Sequence, residues 1–106
     1  MPVRTQTDVY VIHSGGDTQV QAMLLAEALR DAGVRVMVHP GKSGFKSQMK
    51  KADASGARFA VFAAEDELAA GTVSVKALRE GEKSYAEQTA LPLAGAAAAI
   101  AAALAA

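Results

Sequence analysis

The sequence predicts an α/β domain with a parallel three-stranded core followed by an antiparallel hairpin. Three short runs carry the first part of that prediction: Val9-Tyr10-Val11-Ile12, Val34–Val38 and Phe59-Ala60-Val61-Phe62, separated by two segments of helical periodicity. Continuous apolar runs mark strands covered on both faces, and the order strand, helix, strand, helix, strand joins them by right-handed crossovers into a parallel sheet. The second part rests on a change of pattern. Thr72-Val73-Ser74-Val75-Lys76 alternates, placing both valines on one face and Thr72, Ser74 and Lys76 on the other.

The elements follow in order. His13-Ser14-Gly15-Gly16-Asp17 makes a turn after the first strand, and Asp17 or Thr18 is expected to cap the helix that follows. Ala22, Leu25, Leu29 and Ala32 recur at spacings of three and four and form its core stripe. Glu27, Arg30 and Asp31 mark its solvent face, and Gly33 stops it. Pro40-Gly41 breaks the second strand. A second helix is expected from Phe45 to Ser55, with Phe45, Met49 and Ala52 turned inward and Gly56 at its end. Glu65-Asp66-Glu67 opens a short helical turn through Ala70, its acids complementing the dipole. Arg79-Glu80-Gly81 reads as a turn and Lys83–Ala86 as a short partner strand, which leaves one sheet face partly open near the hairpin. Pro92 fits the first turn of a last, alanine-rich packing helix.

At 106 residues, with no repeat or linker, residues 1–106 form one domain, enough chain to bury about two-thirds of its unfolded surface. Eleven basic and eleven acidic residues give zero net charge, which argues against bulk electrostatic capture of nucleic acid and leaves local patches open. With no cysteine, disulfides and thiolate metal sites are excluded, and a reducing cytosolic setting fits. The first residues lack the apolar core of a signal peptide. The apolar run Leu93–Ala106 is mostly alanine and falls short of the roughly 20 strongly apolar residues a bilayer requires. Neither export nor membrane insertion is expected, and a cytoplasmic location is.

The charges are segregated. Lys42, Lys46, Lys50 and Lys51 fall in a stretch without an acid, and the one acidic triplet follows the third strand. Lys46, Lys50 and Asp53 share a flank of the second helix. Their spacing fits a solvated face with a lysine–aspartate pair, or a phosphate-facing rim helped by Lys42. For Glu65-Asp66-Glu67 no other acid at a strand end completes a catalytic pair or a metal site; the helix dipole accounts for these acids, and the lesser reading from chemistry alone is that Glu67 accepts a hydrogen bond from a base edge with Lys76 as complementary donor. Gly15-Gly16 stands where a mononucleotide fold holds phosphate, but neither the G-x-G-x-x-G spacing nor a Walker lysine is present, and a tight turn accounts for it. His13 and His39 end the first two strands without a third ligand at a recognisable spacing, which suits polar strand-end residues.

Six segments then carry a resemblance: Asp8–Val11, Ala26–Gly33, Ser43–Asp53, Gly56–Ala60, Glu65–Leu68 and Val73–Lys76. The Phe-Lys-x-Gln-Met-Lys-x-Ala-Asp helix and the Glu-Asp-Glu-Leu…Val-x-Val-Lys spacing are specific. This arrangement resembles the C-terminal anticodon-binding domain of class IIa aminoacyl-tRNA synthetases, most closely that of histidyl-tRNA synthetases. The resemblance implies a three-layer α/β/α fold, a mixed five-stranded sheet flanked by three helices. It implies a surface for the unstacked anticodon bases of the transfer RNA for histidine. Glu67 and Lys76 match the residues that related domains use at anticodon bases, and Lys42 to Lys46 match the region lining the anticodon loop. The RNA-binding set is therefore Lys42, Phe45, Lys46, Lys50, Glu67 and Lys76. Family members usually carry Gly where this chain has Ala64, so a slightly altered turn is expected there.

The class II catalytic core is absent from this sequence. The chain is thus expected to behave as an excised domain, with no catalytic residue, metal or cofactor of its own, and with ATP and Mg2+ bound elsewhere in a parent enzyme. Expected partners are the anticodon stem-loop of the histidine transfer RNA and the catalytic domain of the same synthetase, with neither DNA nor a membrane. The competing expectations are a small doubly wound domain that binds a mononucleotide or metabolite at its strand ends, and a docking module.

Overall fold

The first strand, β1 (Val9–His13), is buried along its whole length. In this computed structural model, which describes residues 7–40, 44–79 and 81–105, β1 pairs in parallel with β2 (Val36–Val38) on one side and β3 (Phe59–Ala63) on the other. The chain then reverses: β4 (Thr72–Ala77) runs antiparallel to β3, and β5 (Thr89–Pro92) antiparallel to β4. The strand order is β2-β1-β3-β4-β5, a mixed five-stranded sheet as expected.

The two crossovers place their helices on opposite faces. On the first face, α1 (Asp17–Asp31) and α4 (Ala96–Ala105) pack Ala22, Leu25, Leu29, Ala96 and Ile100 against Val9, Val11, Phe59, Val61, Val73 and Val75. On the second, α2 (Phe45–Ala54) packs Ala52 against Tyr10, Ile12 and Ala60. A one-turn helix, α3 (Glu65–Ala69), links β3 to β4, so the described residues hold four helices rather than three. The hydrophobic core is thus thick beneath α1 and α4 and thin beneath α2, which lies over β1. Beyond α2, over β4 and β5, the second face stays open: Lys76, Ala90 and Pro92 are exposed there.

Gly33 ends α1 as expected, at φ +88. Its N–H bonds the carbonyl of Arg30 at 2.9 Å, and the N–H of Val34 bonds that of Leu29 at 3.0 Å, a reciprocal pair that only a left-handed residue permits cheaply. The expected caps differ. Gly16, which has no side chain to bond with, occupies the N-cap, and the Thr18 hydroxyl instead turns back to donate to Gly15 O at 2.6 Å and to accept from Ser14 N–H at 2.9 Å. Ala32 drops out of the core stripe and is exposed as the C-cap.

Three further expectations are corrected. In α2 the inward residues are Gln48 and Ala52, whereas Phe45 is 44% exposed. The partner of β4 is Thr89–Pro92, not Lys83–Ala86. That intervening segment instead straps the sheet edge: Tyr85, at φ +58, sets its ring edge-on to Phe59 at 5.6 Å while its carbonyl accepts from Ala77 N–H at 2.7 Å. Pro92 accordingly closes an edge strand, a position that tolerates a missing N–H, and the last helix begins only at Ala96.

Candidate nucleic-acid interface

Two contacts fix how α2 is turned about its axis. Asp53 pairs with Arg79, just past the end of β4, and Arg79 also donates to the carbonyls of Asp53 at 3.0 Å and Ala57 at 3.2 Å. On the opposite flank, Lys51 is close enough to His39, after β2, to lower its basicity. At 100° per residue, Lys46 and Lys50 share the flank of Asp53. With Gln48 and Ala52 facing the sheet, they lie on the solvent-facing side of α2, and both are exposed. The pairing of Asp53 with Arg79 replaces the lysine–aspartate pair that sequence spacing allowed, and among the described residues no acid pairs with Lys46 or Lys50.

The register of the sheet places the remaining groups on the face that carries α2. Ala60 stands opposite Lys76, Phe62 opposite Ser74, and Ser74 opposite Ala90; residues directly opposed in an antiparallel pair point to one side. Glu67 reaches the face from α3. Its Oε2 accepts from the Ser74 hydroxyl at 3.3 Å, and its main-chain oxygen accepts from the Thr72 hydroxyl at 3.1 Å. A carboxylate, a half-buried phenylalanine and the exposed Lys76 ammonium thus share an open surface with an acceptor for base N–H groups, a donor for base acceptors or phosphates, and an aromatic ring.

Of the six residues expected to bind RNA, Lys46 and Lys50 are exposed on the outer side of α2, and Glu67 and Lys76 are on the open sheet face with no ion pair between them. Phe45 lies in the first turn of α2 with its ring accessible. Lys42 lies outside the described residues. Sequence reasoning put Ser74 on this face through the alternation of β4 but gave it no part in the site, and it missed Phe62, whose apolar β3 run reads as covered on both faces.

The strand ends where a mononucleotide would sit are already occupied by the fold itself. Gln48 from α2 accepts from His13 N–H at 3.1 Å and donates to His13 O at 2.7 Å. Gly15 N–H donates to His13 Nδ1 at 3.0 Å, so the imidazole carries its proton on Nε2 and donates it to His39 O at 2.8 Å. His39 Nδ1 shares a 2.8 Å hydrogen bond with the Tyr10 hydroxyl. Burial pushes the His39 imidazole below its usual range, with His13 and Lys51 adding to the effect, and burial raises the Tyr10 phenol. The donors of Ser14 and Gly15 that a phosphate would need are spent internally. Both histidines act as structural strand-end residues.

A family model described as an anticodon binding domain matches residues 8–102. The chain belongs to the anticodon-binding domain family. It is 53% identical over 91 residues to the histidine–tRNA ligase of Nitrosomonas europaea, covering 86% of this chain and 21% of that protein. It is 49% identical over 87 residues to the one from Ralstonia nicotianae, covering 78% and 20%. Among solved structures, the histidyl-tRNA synthetase of Nostoc sp. PCC 7120 aligns with a TM-score of 0.80 at 31% identity, over 94% of this chain and 23% of that one. The RNA-binding domain of threonyl-tRNA synthetase from Cryptosporidium parvum Iowa II shares the fold, at TM-score 0.76 and 12% identity over 91% and 23%. The chain thus spans about one fifth of the length of the curated relatives it matches, and its kind of anticodon-binding domain is the one found in histidyl-tRNA synthetases.

Two features of this anticodon-binding domain bear on its surface. Ala64, which stands where relatives were expected to have glycine, adopts φ −91 and ψ 167, open to any residue, so the turn into α3 demands no glycine. Separately, a groove of about 740 Å3 between α1 and the edge strand β2 is lined by Val20, Met23, Leu24 and Met37, each about half exposed. It lies away from the lysine flank and is apolar, which suits protein packing better than RNA. No helix among the described residues is long and apolar enough to cross a membrane.

Proposed function

We propose that this chain is the anticodon reader of a histidine–tRNA ligase and binds the anticodon loop of the histidine transfer RNA on the open half of its sheet. The observation that carries this reading is the placement of Ser74-held Glu67 and of Lys76 on the open part of the sheet face that also carries α2, where Lys46 and Lys50 are exposed. Lys46 and Lys50, with Lys42 before them, meet phosphates; Phe45 offers a stacking surface; Glu67 accepts from a base N–H and Lys76 donates to a base acceptor. Histidine activation, with its ATP and Mg2+, belongs to the catalytic domain of the same cytoplasmic enzyme, and this chain by itself holds no cofactor. The apolar groove between α1 and β2 offers that body a packing surface.

Titration of the chain with the anticodon stem-loop of the histidine transfer RNA, and with stem-loops bearing single anticodon substitutions, tests the reading. Glu67→Gln and Lys76→Met should each reduce the preference for the cognate loop by about 1–3 kcal/mol. Equal binding of cognate and substituted loops by the unaltered chain, or an undiminished preference in these variants, would overturn it.

A further inference from the structure

Ser74 is only 5% exposed, yet its hydroxyl is directed at a carboxylate on an open surface. Its strand neighbour on the same face, Thr72, holds the main chain of Glu67, so β4 clasps this residue at two points. The clasp matters because α3 is only five residues long; a helix of one turn has little stability of its own and does not fix a long side chain. Ser74 engages Oε2 alone. Oε1 carries no hydrogen bond among the described residues and is left to the open face. A carboxylate that accepts one bond from a buried hydroxyl keeps its plane and loses rotamer freedom before any ligand arrives, so less order remains to be imposed on binding.

Resting on the anticodon-reading function proposed above, we infer that Ser74 is the positioning residue that orients Glu67 for base discrimination. Specificity on this face is then a property of the Ser74–Glu67 pair and not of the glutamate alone. Thr72 fixes where the residue sits, Ser74 fixes where its carboxylate points, and Lys76 stands two residues further along the same strand face.

The test uses the full 106-residue chain with the histidine anticodon stem-loop and single-base substitutions of it, comparing Ser74→Ala, Ser74→Thr and Glu67→Gln. Ser74→Ala should lower the ratio of cognate to substituted affinity by about fivefold while leaving the salt dependence of binding unchanged. Ser74→Thr, which keeps the hydroxyl and suits a strand, should restore the ratio. Thermal unfolding of each variant shows that the fold persists. If Glu67→Gln lowers the ratio and Ser74→Ala does not, the positioning role is wrong while the anticodon reading stands. Should Glu67→Gln leave the ratio untouched, both fall together. Loss of the ratio in Ser74→Ala without recovery in Ser74→Thr would assign Ser74 to packing and overturn the inference.

Discussion

Gln48 of α2 completes the end of β1 by bonding both main-chain groups of His13, its amide oxygen to the N–H at 3.1 Å and its amide nitrogen to the C=O at 2.7 Å. Both residues are fully buried. A side chain thus extends a strand's hydrogen bonding and, in doing so, pins the helix that carries Lys46 and Lys50 to the end of β1.

Gln48→Met preserves the volume and removes both bonds. It should destabilise the chain by about 2–4 kcal/mol, because two buried main-chain groups lose their partner. Urea unfolding measures this. A change within about 0.5 kcal/mol would mean that water or a rearranged neighbour satisfies His13.

Binding of the stem-loop should weaken with salt. Three or four phosphates at roughly −0.7 each for single-stranded RNA give a log–log slope of about −2 to −3. Lys46→Ala should weaken cognate and substituted loops alike and reduce the slope by less than about one unit. A slope near zero would remove the lysine flank from the interface.

Stability should fall on mild acidification. The His39 imidazole is held below its ordinary value chiefly by burial, so the unfolded chain takes up a proton more readily than the folded one. The contribution is complete above the unfolded value of about 6.5 and declines as the pH drops through it. Urea midpoints measured between neutral pH and pH 5 should decrease in the unaltered chain, and His39→Gln should flatten that decrease. An unchanged pH profile in the variant would place the acid sensitivity elsewhere.

Arg58 links three parts of the chain. It holds Glu82 through two bonds, at 2.7 and 3.0 Å, and the carbonyl of Leu104 in α4 at 3.1 Å; the hydrogen bond to Arg58 is the main reason that the Glu82 carboxyl lies below its usual range. Arg58→Lys cannot reproduce the planar fork. It should cost about 1–2 kcal/mol, towards the lower end because the guanidinium is partly solvated. A double-mutant cycle with Glu82→Gln isolates the pair, and an interaction energy near zero would reduce it to a surface contact. The Glu82 contribution is present at neutral pH and lost as the pH falls through its lowered value.

Most of the architecture was legible in the sequence because it rests on local pattern. Val9–Ile12 and Phe59–Phe62 read as buried strands, which they are except at half-buried Phe62, and the alternation of Thr72–Lys76 announced a strand with one wet face. The hairpin partner was misplaced for a physical reason: Lys83–Ala86 has strand-like composition, but Tyr85 finds Phe59 and Glu82 finds Arg58, distant partners that no local window contains. Phe45 was expected inside because its spacing matches Met49 and Ala52. Gln48 took the interior instead, since the end of β1 offered it two hydrogen bonds.

The sequence by itself determined the element order, the lysine-rich helix, the acidic turn and the Val-x-Val-Lys strand, and through them the family, since each is a matter of residue type and spacing. Only the tertiary structure decided which of these face one another. The rotation of α2 depends on Arg79 and on the neighbourhood of Lys51 and His39, and the pairing of Ser74 with Glu67 depends on α3 folding back over β4. The candidate surface exists because strands distant in sequence pair in one register, and a one-residue slip of β4 would turn Ser74 and Lys76 into the core.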